Sequence, residues 1–229
     1  MYQVNCEWGP NGVKKLSEMC QVTVIVDVLS FSTSVDIAVG RSMRVYPYGG
    51  SLEEAPAFAQ SHDAELVQRR GKGKFSLSPS SFVTGPHVDR IVLPSPNGST
   101  LTLLAAERSL VLCGCLRNAA AVAAACQGYA SVGLVPAGER WPDGSLRPAL
   151  EDWLGAGAII SHLGGSWSPE ARAAAAAFET HQARLLEALK ACPSGIELVE
   201  LGYGKDVEIA GQYNASATVP RFEAPAYRQ

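Results

Sequence analysis

Several large protein classes are excluded by what this 229-residue chain lacks. No apolar stretch reaches the about twenty residues that a membrane-spanning helix needs, and the opening MYQVNCEWGPNG is too polar for a secretory signal. Charge of either sign is not in excess: 19 basic against 22 acidic residues give a net charge of −3, without the basic footprint of a nucleic-acid binder. The six cysteines show no CxxC spacing. Without a secretory signal they read as reduced thiols, and the protein as cytoplasmic. Cys113 and Cys115 are expected on the same side of a strand, which leaves a redox or metal role open beside the plainer reading as small buried hydrophobes. His62, His87, His162 and His181 are scattered, with no HxH or HExxH spacing for zinc. The patterns GxxxxGK[ST] and GxSxG are absent, which removes Walker-type nucleotide hydrolysis and the serine-hydrolase elbow. A hard cation on oxygen ligands remains, with magnesium the natural candidate.

The most informative segment present is Val22–Ser34, VTVIVDVLSFSTS. Its apolar and β-branched residues fall on both parities, as in a strand covered on both faces of a parallel sheet. Asp27 stands inside this run, near its C-terminal end. A buried carboxylate is costly unless it is paired, hydrogen-bonded or bound to a metal, and open α/β sheets place ligand crevices at this end of their strands. Ser30, Ser32, Thr33 and Ser34 then start a helix, whose free N–H groups favour anions. An acid for a cation beside a helix start for an anion suggests a metal-assisted phosphate or carboxylate site; the alternative is that Asp27 only caps the following turn.

Short apolar runs alternate with helical patterns along the chain. Strands are expected at Tyr2–Cys6, Val22–Leu29, Met43–Tyr48, Ala64–Gln68, Arg90–Leu93, Ser109–Cys113 and Ser131–Pro136. Helices are expected after Ser51-Leu-Glu-Glu54, a capping-box arrangement, and at 99–107 and 117–127. The final third reads as helical: Pro148–Leu163, then an alanine-rich helix opened by Ser168-Pro169-Glu170 and running to Ala191, then short helices at Pro193–Gly202 and Asp206–Tyr213. From Val219 the chain is expected to wrap the surface. The pattern predicts one α/β domain over residues 1–229, a three-layer α/β/α with a mostly parallel sheet and a helical C-terminal third.

Polar clusters fall where these strands end. In Pro94-Ser-Pro-Asn-Gly-Ser-Thr100, Asn97 and Gly98 permit unusual backbone angles, and Ser99 and Thr100 add hydroxyls beside free amides; this is a phosphate cradle or an ordinary turn and N-cap. Arg117 can pair with a carboxylate, sulfonate or phosphate, and Asn118 can cap a helix. Arg69, Arg70, Lys72 and Lys74 form the densest basic patch. Glu139 is a second candidate metal ligand, or half of a solvated pair with Arg140. Glu151 and Asp152 are adjacent on a helix and point about 100° apart, so one of them is expected to face a shared site. Asp206 starts a helix, where capping is the default.

VIVDVLSFSTSVDIAV resembles the opening motif of the 2-phosphosulfolactate phosphatases. The resemblance continues, in order, through LVQRRGKGKFSLSPSSF, PSPNGSTL, GCLRNAAAVA, PAGERWPDGSLRPALEDWLGAGAII and GYGKDVEIA. It implies a magnesium-dependent α/β phosphohydrolase that removes phosphate from 2-phosphosulfolactate, a small phosphorylated acid, with no membrane or nucleic-acid partner and with homo-oligomerisation open. Carried over by position, Asp27 would hold the metal or act as nucleophile, with Glu139 and Asp152 completing the catalytic set. Glu139, Glu151 and Asp206 would join Asp27 around the metal. Ser32, Thr33, Asn97, Gly98, Ser99 and Asn118 would bind the substrate, with Arg69 or Arg117 on its acidic end. The chain departs from the family pattern at Ser30-Phe31, Gln68 and Leu77, where an Arg, a Glu and an Asn are usual, so the expected basic companion of Asp27 is missing.

Two classes of function follow: a magnesium-dependent hydrolase of a phosphorylated hydroxy acid, and a non-catalytic relative that binds a small anion or a protein. They differ in whether Asp27, Glu139 and Asp152 converge with room for a metal.

Overall fold

A computed structural model describes residues 3–229. In chain order its elements are β1 (Val4–Cys6), α1 (Gly9–Met19), β2 (Val22–Val26), α2 (Phe31–Gly40), β3 (Arg44–Tyr48), α3 (Ala55–Ser61), β4 (Glu65–Leu66) and α4 (Pro79–Thr84). There follow β5 (Arg90–Pro94), α5 (Gly98–Ala105), β6 (Leu110–Gly114), α6 (Ala119–Ala125), β7 (Val132–Pro136) and a two-stranded hairpin of β8 (Glu139–Arg140) and β9 (Leu146–Arg147). The helices α7 (Leu150–Ile160), α8 (Pro169–His181), α9 (Leu185–Ala191), α10 (Pro193–Glu200) and α11 (Gly204–Ala210) precede β10 (Arg221–Glu223) and β11 (Ala226–Arg228).

Among the described residues nine strands form one sheet, in the order β1-β7-β2-β6-β10-β11-β3-β5-β4. The first four pair in parallel, as do β3, β5 and β4. Alternation along β2 explains the layers. Val22, Val24 and Val26 face a core shared with α6, α7 and α8, while Ile25 faces a second core with Val13 and Leu16 of α1, Val35 of α2 and Leu101 of α5. The expected three-layer α/β/α with a mostly parallel sheet and a helical C-terminal third is what forms.

Three local readings change. The segment from Val219 does not wrap the surface: β10 and β11 form an antiparallel hairpin inserted between β6 and β3, joining the two parallel groups. Phe222 and Tyr227 are buried there, and the Tyr227 hydroxyl meets Thr102 Oγ1 at 2.7 Å; burying an aromatic side chain contributes about 1.5–3 kcal/mol. The alanine-rich helix stops at His181 and passes through a 3-10 turn, Gln182–Arg184, before α9. Helix α1 starts at Gly9; Pro10 sits in its first turn, where a missing N–H costs nothing, and Val13 and Leu16 bury its inner face. Cys113 and Cys115 lie in different cores, because β6 ends at Gly114 between them. All six cysteines are free and buried, and burial pushes the Cys115, Cys126 and Cys192 thiols up to about 12. Among the described residues no helix is long and apolar enough to cross a membrane.

Candidate active site

Asp27 is the first residue beyond β2, and the turns after β2, β5 and β7 meet around it. Its Oδ2 accepts the Gly98 N–H at 2.9 Å, and the Phe31 N–H adds a second backbone bond. The carboxylate therefore lies at the starts of both α2 and α5, where anions are favoured. Gly98 is required at this approach: a Cβ there would stand 2.1 Å from the Phe31 ring. The neighbouring hydroxyls are committed to holding the turn. Ser32 Oγ accepts the Asp27 N–H at 2.8 Å, and Thr33 Oγ1 donates to the Val28 carbonyl at 2.8 Å. Ser99 Oγ donates to the Leu93 carbonyl at 2.7 Å and is fully buried. Asn118 likewise folds its own loop, accepting the Cys115 N–H and donating to Cys113 and Thr218. The hydroxyls of Ser32, Thr33 and Ser99 thus fix backbone rather than open onto space.

The remaining acids arrive from β8 and α7. Asp152 accepts the Val28 N–H through Oδ1 at 2.7 Å and the Gly138 N–H through Oδ2 at 2.8 Å. It braces the residue after Asp27 against the residue before Glu139. Glu139 accepts from Asn97 Nδ2 at 3.0 Å. Adjacent to Asp152, Glu151 is buried, lies against the Cys192 thiol, and has an Oε2 with no hydrogen-bond partner. Burial and the Glu139 charge raise the Asp27 carboxyl to about 7, despite its two backbone donors. Burial, with the Glu151 charge adding, raises Glu139 as well, while Asn97 and Arg147 oppose the shift. Burial and the Asp27 and Glu151 charges push Asp152 well above the carboxylate range. Among the described residues no Lys, Arg or His forms an ion pair with these acids, and they repel one another.

A cavity of about 500 Å³ opens beside this cluster, lined among others by Leu29, Glu139, Arg70, Arg140, Arg147 and Ser194. Arg70, which the sequence left undistinguished within a basic patch, donates from Nη2 to Ser30 Oγ at 2.7 Å. A guanidinium beside the Asp27 turn is therefore present after all, delivered by a distant loop. Arg147 is the cross-strand partner of Glu139 and donates to Ser194 Oγ at 3.1 Å; nothing in its local sequence signals this. Arg69 lines a neighbouring cavity of about 530 Å³ together with Arg70. Arg117 is committed elsewhere: its Nε contacts Asp36 Oδ2 at 2.9 Å, and its Nη1 bonds Ile209 and Gln212. Asp206 does not cap its own helix. Its Oδ1 takes the Ser78 hydroxyl at 2.7 Å and the Ser80 N–H at 3.1 Å, at the start of α4, and its Oδ2 faces Arg70.

The residues present fit a magnesium ion in one manner and not in another. Among the described residues no three of His, Cys, Asp and Glu converge to hold a metal, and both oxygens of Asp152 are occupied by backbone N–H groups. A cage of protein carboxylates is therefore not formed. The unpartnered Glu151 Oε2 and the mutual repulsion of Asp27, Glu139 and Glu151 do fit an ion held by one or two carboxylates. Magnesium commonly binds so, with waters and substrate phosphate completing its shell.

The sequence profile described as 2-phosphosulpholactate phosphatase matches residues 10–225. Similar curated proteins include a probable 2-phosphosulfolactate phosphatase of Gloeobacter violaceus, 29% identical over 88% of each chain. A 2-phosphosulfolactate phosphatase of Methanothermobacter thermautotrophicus is 30% identical over 87% of this chain and 85% of its own. A probable one of Thermus thermophilus is 30% identical over 87% of this chain and 86% of its own.

Proposed function

The chain belongs to the 2-phosphosulfolactate phosphatase family, and from that premise we propose that it is a phosphoric monoester hydrolase releasing phosphate from 2-phosphosulfolactate or a close phosphorylated hydroxy acid. The observation that carries this reading is an arginine-lined cavity of about 500 Å³ whose wall includes Glu139, the outermost member of the buried acid cluster around Asp27. Acids alone would repel a phosphate ester and arginines alone would only bind it; the combination suits phosphoryl transfer.

In this reading Asp27 works at the reacting end. A carboxyl near 7 exchanges its proton at neutral pH. It takes a proton from the attacking water as the water oxygen bonds to phosphorus and the phosphorus–oxygen bond to the hydroxy acid breaks, and that proton passes from Asp27 to the leaving oxygen, restoring the carboxylate. The backbone donors of Gly98 and Phe31 fix the carboxylate for this transfer. Asp152 is a positioning residue, holding the Asp27 turn to the Glu139 turn. Arg147, opposite Glu139, lies where it can neutralise phosphoryl oxygens. Magnesium, held by Glu139 and Glu151, would supply charge neutralisation of the transferring group.

The test is phosphate release from 2-phosphosulfolactate and related phosphorylated hydroxy acids, with magnesium and with chelator, in the wild type and in Asp27→Asn. Magnesium-dependent release that Asp27→Asn abolishes supports the reading. No release from any of them would leave a family member that binds a small anion without turning it over.

A further inference from the structure

Arg70 sits in a setting that neither an ordinary ion pair nor a surface side chain explains. Its carboxylate neighbour, Asp206, is 1% exposed, yet the closest approach is Nε to Oδ2 at 3.7 Å, too long for a hydrogen bond. Both atoms are buried and both lack a hydrogen-bond partner. Asp206 already has its first oxygen filled by Ser78 and Ser80. The Tyr203 ring lies under the guanidinium, 5.6 Å from its centre, and Ser30 holds one corner. Positive charge is thus oriented from three sides, while most of the five N–H donors of an arginine have no acceptor among the described residues. Unanswered donors on a fixed planar cation are what a carboxylate or sulfonate requires.

Position separates Arg70 from Arg147. Arg147 faces Glu139 across the hairpin and acts on the acid cluster through it. Arg70 answers to Asp206, and it lies between the 500 Å³ cavity that contains Glu139 and the 530 Å³ cavity that contains Arg69 and Leu201. A ligand with its phosphate at the acids would extend its far end toward this partition.

Resting on the phosphatase reading above, we infer that Arg70 is the specificity-determining residue for the second anion of the substrate, the carboxylate or sulfonate not being cleaved, with Asp206 and Tyr203 as its positioning residues. Arg70→Lys keeps a charge opposite Asp206 but loses the planar fork. Loss of one charge-assisted pair predicts about a tenfold to hundredfold fall in kcat/KM for 2-phosphosulfolactate. The fall should exceed that for p-nitrophenyl phosphate, which has no second anion, by at least about tenfold, and should lie mainly in KM. Equal falls on both substrates, or none, would overturn the assignment. Binding of sulfoacetate, a sulfonate and carboxylate without phosphate, is measured by calorimetry in parallel and does not depend on turnover. Wild-type binding that weakens about tenfold or more in Arg70→Lys supports the assignment even if no ester is hydrolysed; no wild-type binding, or equal binding, overturns it. The double variant Arg70→Gln with Asp206→Asn removes both charges of the pair together and should show the same loss of sulfoacetate should Arg70→Lys fold poorly.

Discussion

Around Asp27 the hydroxyls are committed to backbone, Ser32 to the Asp27 N–H and Thr33 to the Val28 carbonyl, whereas around Arg70 the donors wait for an acceptor. Glu139 and Leu29 bring the first region to the cleft that Arg70 also lines, and both regions carry charge. The Asp27 turn, the acid floor, is fixed by backbone and hydroxyl hydrogen bonds made before any ligand arrives, so the reacting carboxylate needs no reorganisation. The basic wall is oriented but unsatisfied, and a ligand completes it. Disturbing the floor should therefore change rate and stability together, while disturbing the wall should change binding with little effect on the fold.

The largest expected effect tests the floor. Asp27→Asn should lower phosphate release by about 10²–10⁴-fold, as expected for loss of a proton-transferring group. Without magnesium, the same change should raise the thermal midpoint at pH 8, because a neutral isostere replaces a buried, repelled carboxylate. A lower midpoint would mean that Asp27 is mainly a cap.

Next in size is a dependence on pH. Burial, and then the Glu139 charge, raise Asp27 from 3.8 to about 7 in the fold. The folded state therefore keeps this proton at pH values where the unfolded chain has lost it. The contribution to stability is greatest below about pH 4, declines as pH rises through 7, and is flat above. Urea unfolding of metal-free protein between pH 4 and 8 should show this decline, and Asp27→Asn should make it shallower, leaving the part due to Glu139 and Asp152. Parallel curves for the two proteins would rule out Asp27 as its source.

Asp152→Ala follows. It leaves the N–H groups of Val28 and Gly138 without their acceptor, at a cost of about 2–4 kcal/mol. Chemical denaturation should show that loss, and turnover should fall with it. Unchanged turnover in the folded variant would remove Asp152 from the positioning role. Smallest is Arg147→Gln on the wall, expected to raise KM about tenfold while leaving the unfolding midpoint nearly in place. A large loss of stability there would erase the distinction between floor and wall.

Much of the floor was legible in the sequence. Asp27, Gly98 and Glu139 each follow a strand that could be read from its apolar run, Asp152 lies in the first turn of a helix that could be read as well, and the alternation of strands and helices carried the fold. The roles of the hydroxyls were not legible, because a serine beside free amides looks the same whether its oxygen faces a phosphate or, as Ser99 does, the Leu93 carbonyl. Arg69 and Arg70 are adjacent in a loop, and only the folded loop sends one to Ser30 and the other to the neighbouring cavity. Arg117 looked available because its partner, Asp36, lies 81 positions away. The hairpin of β10 and β11 escaped because each strand has three residues and gains its pairing from β6 and β3, far away in the chain.

That hairpin also constrains the order of assembly during synthesis. The strands on either side of it, β6 and β3, are complete by residue 114, yet nothing in the sheet joins them until residues 221–228 have been made. Until then each parallel group presents a bare edge at which another chain could pair. Protection from such pairing arrives with the strands made last, so a chain interrupted before Tyr227 would lose more than a few contacts. It would keep both halves of its sheet and lack the piece that makes them one.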